Sequence, residues 1–304
     1  MWGHAAAGVA AAGTVCLAVA VAAWLATGGA TSPPRRPAVA SRAPRSRPAA
    51  PGISPHGLAF GLDRAEGVID TPGAPPTRLA QAALYEELAV GVLQAEPAPE
   101  RRATLALADP AARASMHTDL AADAALSGLN QHRTRLPPWR IIAPPPAGTL
   151  LQMFRAAQAR YRVPWPYLAA IALVESRFGR IRGPSAAGAE GPMQFLPATW
   201  AQYGHGSIDD PRAAILAAAR FLAANGAPGD MAGALFHYNP SRDYVAAVSG
   251  YARRMQRDPR AYNGYYDWQV IYAYDRRTVL LPVGFPAAQP VPLAHGLPPL
   301  PPVR

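Results

Sequence analysis

Residues 166–178 read Pro-Tyr-Leu-Ala-Ala-Ile-Ala-Leu-Val-Glu-Ser-Arg-Phe, and the Gly-rich stretch 179–191 follows. Proline at the start and a run of apolar helix formers predict a helix over 166–178, with Leu168, Ile171 and Val174 or Glu175 on its inner face. Glu175 falls in the last turn. Partial burial raises a carboxyl pKa because the charged form loses solvation. The negative end of the helix dipole pushes the same way. A glutamic acid kept protonated near neutral pH can deliver a proton to a leaving oxygen. Taken alone, Glu175 reads more simply as an ordinary helix glutamate paired with Arg177 or Arg180.

Two further stretches carry chemical groups. Gly191-Pro192-Met193-Gln194-Phe195-Leu196-Pro197 combines a glycine that allows close backbone approach with the planar amide of Gln194. Met193 and Phe195 offer apolar surface to the C–H faces of a sugar, or else fill the core beneath a loop-to-helix turn. Phe236-His237-Tyr238-Asn239-Pro240-Ser241, followed by Tyr244-Val245, places Tyr and Asn at a helix end. His237 has no second histidine at ligand spacing, so no metal and no cofactor is expected.

The order Glu175-Ser176, then Gly191-x-Met193-Gln194-Phe195, then Tyr238-Asn239-x-Ser241 resembles the lytic transglycosylase family, whose fold is lysozyme-like. The likeness is strongest to the membrane-bound murein transglycosylases of the Gly-x-Met-Gln-Phe type, in actinobacterial form, and covers about residues 141–261. It implies that Glu175 is the single catalytic acid/base. It also implies that Ser176, Met193, Gln194 and Phe195 line a glycan groove, and that Tyr238 and Asn239 face the glutamate and an N-acetyl group. Pro192 within the strip and Pro240-Ser241 after the Tyr-Asn pair depart from the family pattern, which bears on groove shape.

Around this core the chain is uneven. It has 304 residues, of which 35 are Pro, too many for one compact domain. It is half hydrophobic and only 16% charged, which excludes a wholly disordered chain. A single cysteine, Cys16, excludes an intramolecular disulfide. The net charge of +10 comes from Arg alone, and a chain without Lys has no Walker-type phosphate loop. Five arginines between 35 and 47 lie among prolines without interleaved aromatics, so nucleic acid is not expected as a partner. The uncharged run within residues 1–28 is long enough to span a bilayer and reads either as a signal-anchor, which its length and the missing small-x-small cut favour, or as the core of a cleaved signal. Residues 29–77 read as a Pro/Arg-rich disordered linker. Periodic Leu84, Leu88 and Val92 mark a small helical region over 78–135, with no chemistry in it. The catalytic domain follows over 141–275. Alternation in 265–274 and 278–283 predicts a short C-terminal β-hairpin, and 286–304 reads as a Pro-rich tail. The expected fold is therefore mainly α, with a lysozyme-like helical domain.

The resemblance implies peptidoglycan glycan strands as substrate. One carboxylate then suffices, because the substrate's acetamido group steadies the cationic centre and the muramyl 6-hydroxyl closes a 1,6-anhydro ring. Two alternatives stand beside this reading. One is a lysozyme-type muramidase with Glu190 as second carboxylate. The other is a non-catalytic cell-wall-binding protein. Such a substrate demands an extracytoplasmic domain, although the arginines after the hydrophobic run would, by the charge rule alone, face the cytoplasm. The linker arginines can also meet acidic lipid headgroups or wall polymers. Protein partners are not specified by the sequence.

Overall fold

The structure, a computed structural model, describes residues 54–129, 133–275 and 277–293. The hydrophobic run within 1–28 lies outside them, as does most of the linker. Among the described residues no helix is long and apolar enough to cross a membrane.

The N-terminal layer is helical. Helices α1 (Pro55–Ile69), α2 (Pro76–Ala95), α3 (Ala98–Leu107) and α4 (Pro110–Ser127) each begin with proline at the first turn. Helix α1 occupies a segment that the composition assigns to the linker. Its cause is local: Ser54 caps the helix by accepting from Gly57 N–H, and Leu58, Leu62, Ala65 and Ile69 recur on one buried face. Asp109 precedes α4 but does not cap it. Its backbone N–H instead donates to Asp63 of α1, 2.8 Å away, which binds the two helices together.

Strand β1 (Arg140–Ile141) opens the second half and pairs antiparallel with β2 (Ile181–Arg182). Between them run α5 (Ala147–Tyr161) and α6 (Trp165–Ser176). Every residue of α6 from Leu168 to Ser176 is buried, which an apolar all-round sequence requires of a central helix. Helices α7 (Pro197–Tyr203), α8 (Pro211–Ala224), α9 (Met231–Tyr238) and α10 (Arg242–Arg257) complete the bundle. Asp210, Asp230 and Ser241 cap the last three through their side chains. Asp209, one residue before a cap, is paired with Arg182 instead.

The C-terminal part differs from its alternation pattern. Ala261–Asp267 forms a further helix, α11, because Ala261, Tyr262, Gly264 and Tyr265 bury one side against α2 and α6. The hairpin is confined to β3 (Ile271–Tyr274) and β4 (Arg277–Leu280). A third strand, β5 (Val291–Pro292), pairs with β4 in the segment read as tail.

One hydrophobic core runs from Leu58 in α1 to Trp268 after α11 and holds α6 at its centre. Helix α4 lies along α10, and α2 along α11. The N-terminal helices thus share the core of the bundle and are not an appended unit. The architecture is mainly helical with small antiparallel sheets, consistent with a lysozyme-like fold.

Candidate active site

Glu175 is 2% exposed in the last turn of α6. Burial pushes its carboxyl up to about 8, against the opposing pull of a hydrogen bond from Tyr244. The Tyr244 hydroxyl donates to Glu175 Oε1 at 2.7 Å, while Oε2 is buried with no hydrogen-bond partner. A carboxyl so placed carries its proton at neutral pH. The nearby arginines do not neutralise it: Arg177 pairs with Glu87, and Arg180 donates to the Tyr266 carbonyl.

The segment after Glu175 turns sharply. Arg177 and Phe178 both adopt left-handed backbone, with φ of 52° and 59°. Neither is glycine, and each such residue costs on the order of 1–2 kcal/mol. The Phe178 N–H returns to the Ala172 carbonyl at 2.9 Å. Ser176 is fully buried and works as a strut: its Oγ donates to the Pro192 carbonyl at 2.5 Å and accepts from Gly179 N–H at 2.8 Å. It therefore ties the end of α6 to the strip 191–195 and presents no group to a groove.

The strip itself is a tight reversal. Glu190 and Phe195 exchange two backbone hydrogen bonds of 2.9 Å, with Gly191 at φ 74° and Gln194 at φ 49° between them. The reversal sends Met193 and Phe195 inward. Met193 is fully buried and Phe195 is 3% exposed, packed on Trp200 and Tyr238. Both belong to the core and offer no surface to a sugar. Gln194 remains half-buried, with its amide N–H₂ donating to the Gly191 carbonyl at 2.9 Å.

Tyr238 ends α9 and donates to the Met193 carbonyl at 2.6 Å, while the Glu175 carboxyl lies near enough to add to the effect of burial in raising the Tyr238 pKa. Its ring lies parallel to that of Tyr244, 6.5 Å between centroids and 6° between planes. Asn239 is 5% exposed at the C-cap of α9. The residue that bonds the glutamate is thus Tyr244, to which the sequence alone assigns no role. Its signal was weak: Ser241 at the cap fixes Tyr244 in the first turn of α10, with its backbone N–H on Ser241 Oγ.

Glu190 is exposed and lines an open cavity of about 690 Å³ together with Arg140, Arg182, Gly183, Gly191 and Asp209. Among the described residues no group of His, Cys, Asp and Glu is arranged to hold a metal ion.

No curated protein and no solved structure matches the chain. Residues 152–260 match the family model Transglycosylase SLT domain. That interval contains Glu175, the strip, Tyr238 and Tyr244, and the match supports the lytic transglycosylase family for this part of the chain.

Proposed function

We propose that the protein is a peptidoglycan lytic transglycosylase in which Glu175 is the sole acid/base. The observation that carries this reading is the buried carboxyl of Glu175, bonded by Tyr244 at the end of α6, with burial raising its pKa. In the proposed reaction Glu175 gives its proton to the oxygen between N-acetylmuramic acid and N-acetylglucosamine, and the bond from that oxygen to the muramyl anomeric carbon breaks. The substrate's acetamido oxygen steadies the cationic carbon. The muramyl 6-hydroxyl then attacks the same carbon while the Glu175 carboxylate takes its proton. The products are a 1,6-anhydro-muramyl end and a new N-acetylglucosamine 4-hydroxyl, with no water consumed and the acid restored.

The membrane-bound type, the actinobacterial form and an extracytoplasmic location belong to the same proposal, with the hydrophobic run within 1–28 as anchor. They rest on the sequence: an uncharged run long enough for a bilayer, and a substrate that lies outside the membrane.

The test is mass spectrometry of peptidoglycan digested by the full chain. Anhydro ends one water lighter than hydrolysed ends, and resistant to borohydride, are expected. Reducible ends would make the enzyme a hydrolase. Binding without cleavage would make it a wall-binding protein. Glu175→Gln should abolish turnover, since the amide keeps the shape but cannot cycle a proton.

A further inference from the structure

Helix α2 lies outside residues 152–260, yet it places a carboxylate against the turn that ends α6. Glu87 is fully buried. Its Oε1 stands 3.5 Å from an Arg177 guanidinium nitrogen, within ion-pair range but without a hydrogen bond. Its Oε2 accepts from Gln269 N–H at 2.7 Å. Arg177 is 3% exposed and lies over the ring of Trp268, 5.5 Å from its centroid. Asp123 of α4, itself 5% exposed, is a second anion acting on Arg177, and Arg180 is a further cation acting on Glu87.

Arg177 is also the first of the two left-handed residues after Ser176. Such backbone persists in a non-glycine residue only when its surroundings over-determine it. Here the long side chain reaches across the core to an anion on another helix, while Phe178 packs on Phe154 and Tyr262. The turn in turn sets Ser176, whose hydroxyl fixes the Pro192 carbonyl and the start of the strip.

We propose that Glu87 is a positioning residue for Glu175: its pairing with Arg177 holds the left-handed end of α6 and thereby the relative placement of the Glu175 carboxyl and the 191–195 strip. The N-terminal helices are then part of the catalytic unit. The inference rests on Glu175 as the acid.

The experiment measures turnover of soluble peptidoglycan fragments by the full chain. Glu87→Gln keeps the volume and an acceptor for Gln269 N–H but removes the carboxyl facing Arg177. Because burial raises that carboxyl to about 7, turnover is compared on the alkaline side of that value, where Glu87 is ionised. A fall in kcat of about tenfold to a hundredfold is expected, the range for a slightly misplaced catalytic group, with KM within about twofold. Adding Arg177→Gly should then recover most of the lost kcat, because glycine adopts positive φ without an anchor. A purely structural ion pair would give no such rescue. If Glu87→Gln does not fold, Glu87→Leu with Arg177→Met replaces the pair by apolar groups, which buried ion pairs often tolerate, and a low kcat in that folded protein is expected. Wild-type kcat in folded Glu87→Gln or in the apolar pair, or no rescue by glycine, overturns the proposal. Glu175→Gln run in parallel separates the two readings: if it retains turnover, Glu175 is not the acid. If it is inactive while Glu87→Gln is unaffected, only the positioning role fails.

Discussion

Tyr244 and Glu175 are 69 residues apart in the chain, and the tyrosine hydroxyl donates to the carboxyl at 2.7 Å inside the core. The tyrosine favours the ionised glutamate, and burial favours the neutral one. Burial wins, so the acid is loaded at neutral pH, and the hydroxyl remains in place to receive the carboxylate once the proton has left. Tyr244 itself stays protonated, because burial and the facing carboxyl both raise its pKa well above the ordinary value.

This pair sets a pH dependence. A catalytic acid at about 8 must lose its proton as pH rises through that value, so kcat/KM should fall on the alkaline side with a limb near pH 8. Tyr244→Phe removes the interaction that lowers the Glu175 pKa. The limb should move to higher pH, while kcat falls because the carboxylate loses its donor. A pH–rate profile of both proteins checks this. A limb that moves down or stays fixed would place the titration on another group.

Glu190→Gln should keep most of the activity. Glu190 lies exposed on the wall of the 690 Å³ cavity, and its backbone, not its carboxyl, makes the reversal with Phe195. The amide preserves that backbone geometry. A loss as deep as that of Glu175→Gln, read in initial rates, would favour a two-carboxylate hydrolase.

The helix that carries Glu175 was legible in the sequence, because a proline start and an apolar run are local signals, whereas the glutamate alone read as paired with Arg177 or Arg180, and only the fold gives those arginines other partners. Asp210 and Asp230 stand just before their helices and cap them, a local rule that Asp109 also obeys in sequence without capping α4. What stayed hidden depends on contacts between distant segments. For Met193 and Phe195 the sequence left groove wall and core both open, and the tight reversal, made by backbone hydrogen bonds between Glu190 and Phe195, turns them into the core. Tyr244 looked like one more aromatic of α10, since nothing local says that it meets Glu175. Helix α1 was masked by its surroundings: a Pro-rich composition averaged over 29–77 hid a capped, periodic helix at its end. The pairing of Glu87 with Arg177 spans two segments that sequence patterning treated as separate regions.

Gly191→Ala should damage the strip. At φ 74° any side chain is strained, and a Cβ there would stand 2.2 Å from the Ile208 carbonyl oxygen, which is backbone and cannot swing away. Strain and clash together should cost about 2 kcal/mol or more of stability and lower turnover by displacing the Pro192 carbonyl from Ser176. Gly188→Ala is the control, with similar φ of 78° but nothing within 4 Å of its Cβ. It should cost only the conformational part, about 1–2 kcal/mol. Thermal melts of the two variants compare them directly, and equal losses would show that the Ile208 contact relaxes.

The interface between α4 and α10 makes stability depend on pH in the less common direction. Arg254, 3% exposed, meets Glu66 at 2.9 Å, Glu86 at 2.6 Å and Asp119 at 2.5 Å, so one cation serves three carboxylates. Burial raises Glu66 from 4.5 to about 7 and Asp119 from 3.8 to about 8, with Arg254 opposing in both. Glu87, Asp123 and Glu175 are raised as well. A carboxyl whose folded pKa lies above its unfolded value binds more protons when folded. Its contribution to stability is therefore full below about pH 4 and is lost as pH rises through 7 to 8. Asp258 works the other way, lowered chiefly by Arg260 against the cost of its burial, but it is a single, partly exposed group. The melting temperature should accordingly fall between pH 5 and pH 8. Arg254→Met should deepen the slope: at pH 8 it strands buried carboxylates, a loss of about 3–5 kcal/mol for a broken buried pair, and at pH 5 protonation relieves most of it. Melting curves of both proteins at pH 5, 6.5 and 8 make the comparison, and a variant equally destabilised at all three would show that Arg254 acts through packing and not through charge.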